Sequence, residues 1–127
     1  MKIAATVARY LMGIIFVVFG LNGFFNFIPQ PPLPPGPLTQ LMSAYMATHY
    51  LAFVFAVQLA AGILFVINRY VPLALTIIAP VIVNILMFHI SFQPSGLPPG
   101  ILVTILWFVV ASRVWNAFDG IFQPRGL

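Results

Sequence analysis

Seven residues combine polar chemistry with an apolar setting: the amides of Asn22, Asn26, Gln58 and Asn84, the imidazoles of His49 and His89, and the indole of Trp107. An amide buried in hydrocarbon without a partner is costly. It must find donors and acceptors on other helices, in trapped water or in a ligand. Two readings follow. In the first, Asn22, Asn26, Gln58 and Asn84 are glue between helices, worth roughly 0.6 kcal/mol per pair. In the second, they and His89 line an amphipathic pocket for a quinone or lipid head group, holding its carbonyls while Phe24, Phe25, Phe27 and Trp107 pack the ring. Trp107 fits the second reading because it lies within an apolar run, where an interfacial tryptophan is not expected.

Other chemistries find little support. With no cysteine there is no disulfide, thiolate metal site or thiol relay. No carboxylate pair, nucleophile-base constellation or metal-ligand spacing occurs. His49 and His89 end on the same side, a placement compatible with a bis-histidine haem, although histidines at membrane edges are more often interfacial. Asp119, the sole acid, falls near Arg113 and Arg125 and reads as half of a surface ion pair. A proton pump or cation transporter would carry an acid inside the membrane, and internal repeats are missing as well.

The elements that must position these residues are membrane spans. Of 127 residues, 62% are hydrophobic and 5% charged, against about a quarter charged in soluble domains. The pattern predicts an all-α integral membrane protein: a four-transmembrane-helix bundle in one membrane domain over 1–127, with spans at about 6–27, 50–67, 71–90 and 101–118. Lys2 and Arg9 precede an apolar run that continues to Ile28 without an A-x-A cleavage site, so the first span is expected to be a retained signal anchor. On that span Gly13 and Gly20 share one face and Asn22 and Asn26 lie near the opposite one. Gly13, Gly20, Gly23 and Gly62 are expected to permit close helix packing.

Pro29, Pro31, Pro32, Pro34, Pro35 and Pro37 stop the first span and favour an extended surface loop; uncharged flanks make a ligand for SH3-like domains the weaker reading. Leu38, Leu41, Met42, Tyr45 and Met46 then follow the spacing of a one-sided helix over 38–48, too short to span and expected to be interfacial. Pro80 interrupts the third span, freeing the carbonyl of Thr76 and kinking the helix. A second proline-glycine loop covers 91–100.

The formal charge of +4 comes from five Lys/Arg against one acid. Lys2, Arg9, Arg69, Arg113 and Arg125 fall at the amino end, the second loop and the carboxyl end, which predicts both termini cytoplasmic. The basic residues thus read as topology signals rather than a nucleic-acid patch.

FGLNGFFNFIPQPP at 19–32, the stretch from Gln58 to Gly62, NRYVPLAL at 68–75 and APVIVNILMFH at 79–89 resemble the DoxX-like family of small bacterial membrane proteins. The resemblance covers most of the chain. It implies a four-helix bundle in the bacterial cytoplasmic (inner) membrane and association with thiosulfate:quinone oxidoreduction or membrane complexes handling oxidative stress. The expected function is a non-catalytic accessory subunit of a larger membrane complex concerned with electron transfer, among membrane lipids and other subunits. The alternative is a quinone-interacting subunit of a membrane oxidoreductase, with quinone or bound lipid as the only candidate cofactor.

Overall fold

A computed structural model describes residues 2–28, 34–124 and 126. Four helices among these are long and apolar enough to cross a membrane, and no strand is present among the described residues. Helix α1 is Lys2–Phe25, α2 Pro37–Thr48, α3 Tyr50–Ile67, α4 Val71–Phe92 and α5 Leu97–Arg113. Single 3₁₀ turns precede α5 at Pro94–Gly96 and follow it as a longer segment at Trp115–Phe122. The expected all-α bundle is therefore the observed architecture. The four long helices run alternately up and down, and α1, α3, α4 and α5 form a closed ring in which α1 also packs on α5.

The most extensive seam joins α1 to α3. In hydrocarbon no hydrophobic force draws helices together, so backbones must come close enough for van der Waals contact to count. Gly13 and Gly62 allow it. A Cβ at Gly62 would lie 2.7 Å from the backbone nitrogen of Val17 and 3.0 Å from the carbonyl oxygen of Gly13. A Cβ at Gly20 would sit 3.0 Å from the backbone of Leu59, and one at Gly23 would enter the ring of Phe55. At the basic end the seam is stapled by Arg9, whose guanidinium donates to the carbonyls of Phe65 and Val66 at the end of α3. Those last-turn carbonyls carry the negative end of the helix dipole, and that of Phe65 also accepts the N–H of the cap residue Asn68 at 3.3 Å. Met12, Phe16, Phe65, Leu75 and Ile78 fill the core between the four spans.

Several element boundaries differ from the expected ones, each for a local reason. α1 stops at Phe25 because Asn26 adopts the left-handed conformation (φ 52), a position asparagine tolerates better than most residues. α5 starts at Leu97, not 101, because Pro98 and Pro99 fall in its first turn, where a missing N–H costs nothing. α5 also ends at Arg113: the chain turns at Val114, and the 3₁₀ segment beyond it lays Phe118 onto the core. α4 continues to Phe92 and remains helical through Pro80. The expected helix over 38–48 is α2, with Leu38, Leu41, Met42 and Tyr45 half-buried, whereas Met46 is exposed. Residues 29–33, within the first proline loop, lie outside the described residues.

The seam predicts an asymmetry among glycine variants. Gly62→Leu should force α1 and α3 apart and lower the thermal stability of the detergent-solubilised protein by roughly 1–3 kcal/mol or more. Gly120→Ala, with nothing within 4 Å of the added carbon, should change it little. Thermal melts followed by circular dichroism check both, and equal melting temperatures for the two variants would remove the seam from its central place.

Candidate functional site

The six candidate ligand-binding residues do not form one site. Asn22 sits in the last turn of α1, half-buried, and its side-chain oxygen accepts the N–H of Ile28 at 2.7 Å. Asn26 lies just past the helix end, exposed, and its backbone N–H donates to the carbonyl of Asn22 at 2.7 Å. The pair closes the end of α1: one asparagine supplies the left-handed residue, and the other catches the N–H beyond it. Asn26 is thus not a polar residue inside the span, as the sequence suggests, because the helix ends one residue before it.

Gln58 is buried, with 7% of its surface exposed, on the face of α3 that carries Ala61, Gly62 and Phe65. It makes no side-chain hydrogen bond to another described residue. Every fully enclosed side-chain nitrogen or oxygen among the described residues has a partner, so the Gln58 amide retains a small opening to its surroundings. Asn84 points the other way. It is exposed on α4, between the exposed Val83 and Met87 and opposite the buried stripe Val71, Ala74, Leu75, Ile78 and Ile82. Among the described residues, its amide also has no hydrogen-bond partner.

His89 is half-buried at the far end of α4. Its Nδ1 lies 3.3 Å from the carbonyl oxygen of Gln93, and its ring meets Phe88 edge-on at 5.3 Å. The following 3₁₀ turn closes over the ring so tightly that a Cβ on Gly96 would come within 2.5 Å of it. His89 therefore fastens the α4–α5 connection. His49, exposed and left-handed (φ 58), is the joint between α2 and α3. No group of three or more histidines, cysteines or acids capable of holding a metal occurs among the described residues. Arg113 and Asp119 form no ion pair, and Arg125 lies outside the described residues.

Trp107 is half-buried on α5 and donates its indole N–H to the carbonyl of Leu75 on α4 at 3.0 Å. Leu75 is the residue before Thr76, whose carbonyl loses its helical donor to Pro80. The indole therefore ties α5 to α4 next to the point where the α4 ladder is interrupted. Trp107 and Thr104 border a shallow groove between α4 and α5, with a volume of about 190 Å³ and otherwise apolar walls including Ala79, Val83 and Phe108. Its two polar groups are engaged elsewhere, since the Thr104 hydroxyl donates to Gly100 at 2.7 Å and the indole to Leu75. A quinone carbonyl placed there would find no free donor from these two side chains, and none of Asn22, Gln58, Asn84 or His89 borders the groove.

A larger groove lies on the other side of the bundle, between α1 and α3. It has a volume of about 400 Å³ and is lined by Ile14, Val17, Val18, Ile63, Val66 and Ile67. In the sequence Arg9 reads as a topology signal alone and the groove leaves no trace, because aliphatic side chains in a span carry no local mark of a cleft. A signal was nevertheless present: Arg9 lies a full two turns inside a helix whose other charge is at Lys2.

Comparison of the chain with protein-family models, with curated proteins and with solved structures returns no match.

Removing the indole donor by Trp107→Phe should cost about 0.5–1.5 kcal/mol, the net worth of one hydrogen bond. The same change at Trp115, exposed beyond α5, should cost less. Denaturation in mixed detergent measures the difference, and indistinguishable costs would show that the Leu75 contact adds nothing to the α4–α5 joint.

Proposed function

We propose that the chain is a non-catalytic accessory subunit of a larger membrane assembly, joined to it through the outward face of α4. The observation that carries this reading is the exposed, unpaired Asn84 amide among Val83, Met87 and the neighbouring apolar residues of that face. Facing lipid, such an amide has nothing to bond. Against a second transmembrane helix it can both donate and accept, and interhelical polar pairs of this kind contribute up to roughly 1.7 kcal/mol. The scattering of the polar residues supports the same reading, since Asn22 and His89 are engaged with nearby backbone.

The resemblance to DoxX-like proteins supports electron transfer as the business of that assembly and the bacterial cytoplasmic membrane as its place. The alternating helices bring Lys2, Arg9, Arg69 and Arg113 to one end of the bundle. That clustering supports cytoplasmic termini, because positive residues resist translocation.

Native mass spectrometry of protein extracted gently from its own membrane tests the proposal. The chain should travel with a larger complex, and Asn84→Leu should release it while leaving the melting temperature of the isolated bundle almost unchanged, as expected for an exposed site. If the chain instead runs alone or as a small oligomer with one quinone per copy, and Asn84→Leu removes that quinone, the accessory reading gives way to a quinone-interacting subunit.

A further inference from the structure

We propose that the groove between α1 and α3, together with Arg9 at its head, is a binding site for an anionic phospholipid: an acyl chain lies along the groove and the headgroup phosphate on the guanidinium. This site shares no residue with the α4 face and stands whether or not the chain is an accessory subunit.

The geometry joins an apolar trough to a cation. Ile14, Val17 and Val18 form one wall and Ile63, Val66 and Ile67 the other, and no polar side chain interrupts either. Ile14, Ile63 and Ile67 are each about half exposed, so the trough opens toward the hydrocarbon. Its head is marked by the contacts of Arg9. The guanidinium donates to the carbonyl of Val66, a wall residue, at 3.3 Å, and lies 4.2 Å above the ring of Tyr10, one turn before Ile14 on the same side of α1. From Arg9 to Val18 the helix rises about 13 Å, enough to bed much of one acyl chain.

Carbonyl dipoles meet part of the charge at this head, and no carboxylate neutralises it among the described residues. Both contacts to α3 use Nη1, which leaves the Nε and Nη2 hydrogens without a partner among the described residues. No Asp or Glu forms an ion pair with Arg9 among them. The next cation on this side is Arg69, just past the end of α3, and Lys2 lies further out on α1. A guanidinium presents a planar fork of donors that fits phosphate oxygens, and basic pockets between helices at the cytoplasmic surface select anionic lipid heads. A zwitterionic lipid could occupy the same trough but would bring no net charge to this cluster. The preference should therefore appear as a difference between headgroups of equal chain length.

The test is native mass spectrometry of delipidated, detergent-solubilised protein titrated with phosphatidylglycerol or phosphatidylcholine carrying identical acyl chains. The expected result is one phosphatidylglycerol bound about five-fold or more tightly than phosphatidylcholine, the size expected for one cation near a charged surface. Arg9→Gln should erase the preference. Ile63→Trp, which fills the exposed wall without touching the guanidinium, should weaken both lipids, whereas Ile105→Trp, exposed on α5 and bordering neither groove, should weaken neither. Equal affinities for the two lipids in the unaltered protein, or undiminished binding by Ile63→Trp, would overturn the proposal. Should Arg9→Gln fail to fold, those two measurements decide it alone.

Discussion

The close approach of α1 and α3 is the constraint on which the remaining structure depends. Lipid tails are as apolar as leucine, so two helices gain nothing by hiding aliphatic side chains from them. What they can gain is surface contact, and Gly13 and Gly62 let one backbone touch the other. Once that contact is made, Arg9 reaches the capped end of α3, Gln58 is buried, and Met12, Phe16 and Phe65 meet across the bundle. α4 and α5 complete the ring through longer side chains, with an indole-to-carbonyl bond supplying the directional contact that glycines supply elsewhere.

Polar groups divide according to whether the backbone nearby has something to offer them. Those at helix ends are spent locally: Asn22 on Ile28 and His89 beside Gln93, while Arg9, two turns inside α1, gives only Nη1 to the end of α3. Helix termini always leave donors and acceptors unmatched, so a side chain placed there finds work within its own chain. Asn84, in the body of a span, has no such neighbour. The mid-helix ladder consumes its own carbonyls, and the Trp107 indole from α5 reaches α4 at Leu75, one residue before the carbonyl that Pro80 leaves without a donor.

Much of this is legible in the sequence, and the rest is hidden for two physical reasons. Span number, the glycine seam and the short helix after the first span all follow from composition, spacing and proline rules that hold in any solvent. Which face of a span looks inward does not follow, because in a membrane both faces are apolar and the usual periodicity loses its contrast. Asn84 and Gln58 look alike in sequence, yet one is exposed and the other enclosed. On α4, Ile78 and Ile82 mark the buried stripe, and Asn84 falls two residues off it. The partner of Trp107 was unreadable for a different reason, since a backbone carbonyl has no letter of its own.

The order of the spans around the ring also bears on how the protein is made. A chain emerging from the ribosome delivers α1 first and α3 next, and these two share the tightest seam. They can therefore pair while α4 and α5 are still being synthesised, giving the later spans a finished surface to join. Every large contact but one links consecutive spans; the exception is α1 with α5, the first to the last. Biogenesis thus ends with a single ring closure, and until α5 arrives the nascent protein is an open wedge with one flank unclosed.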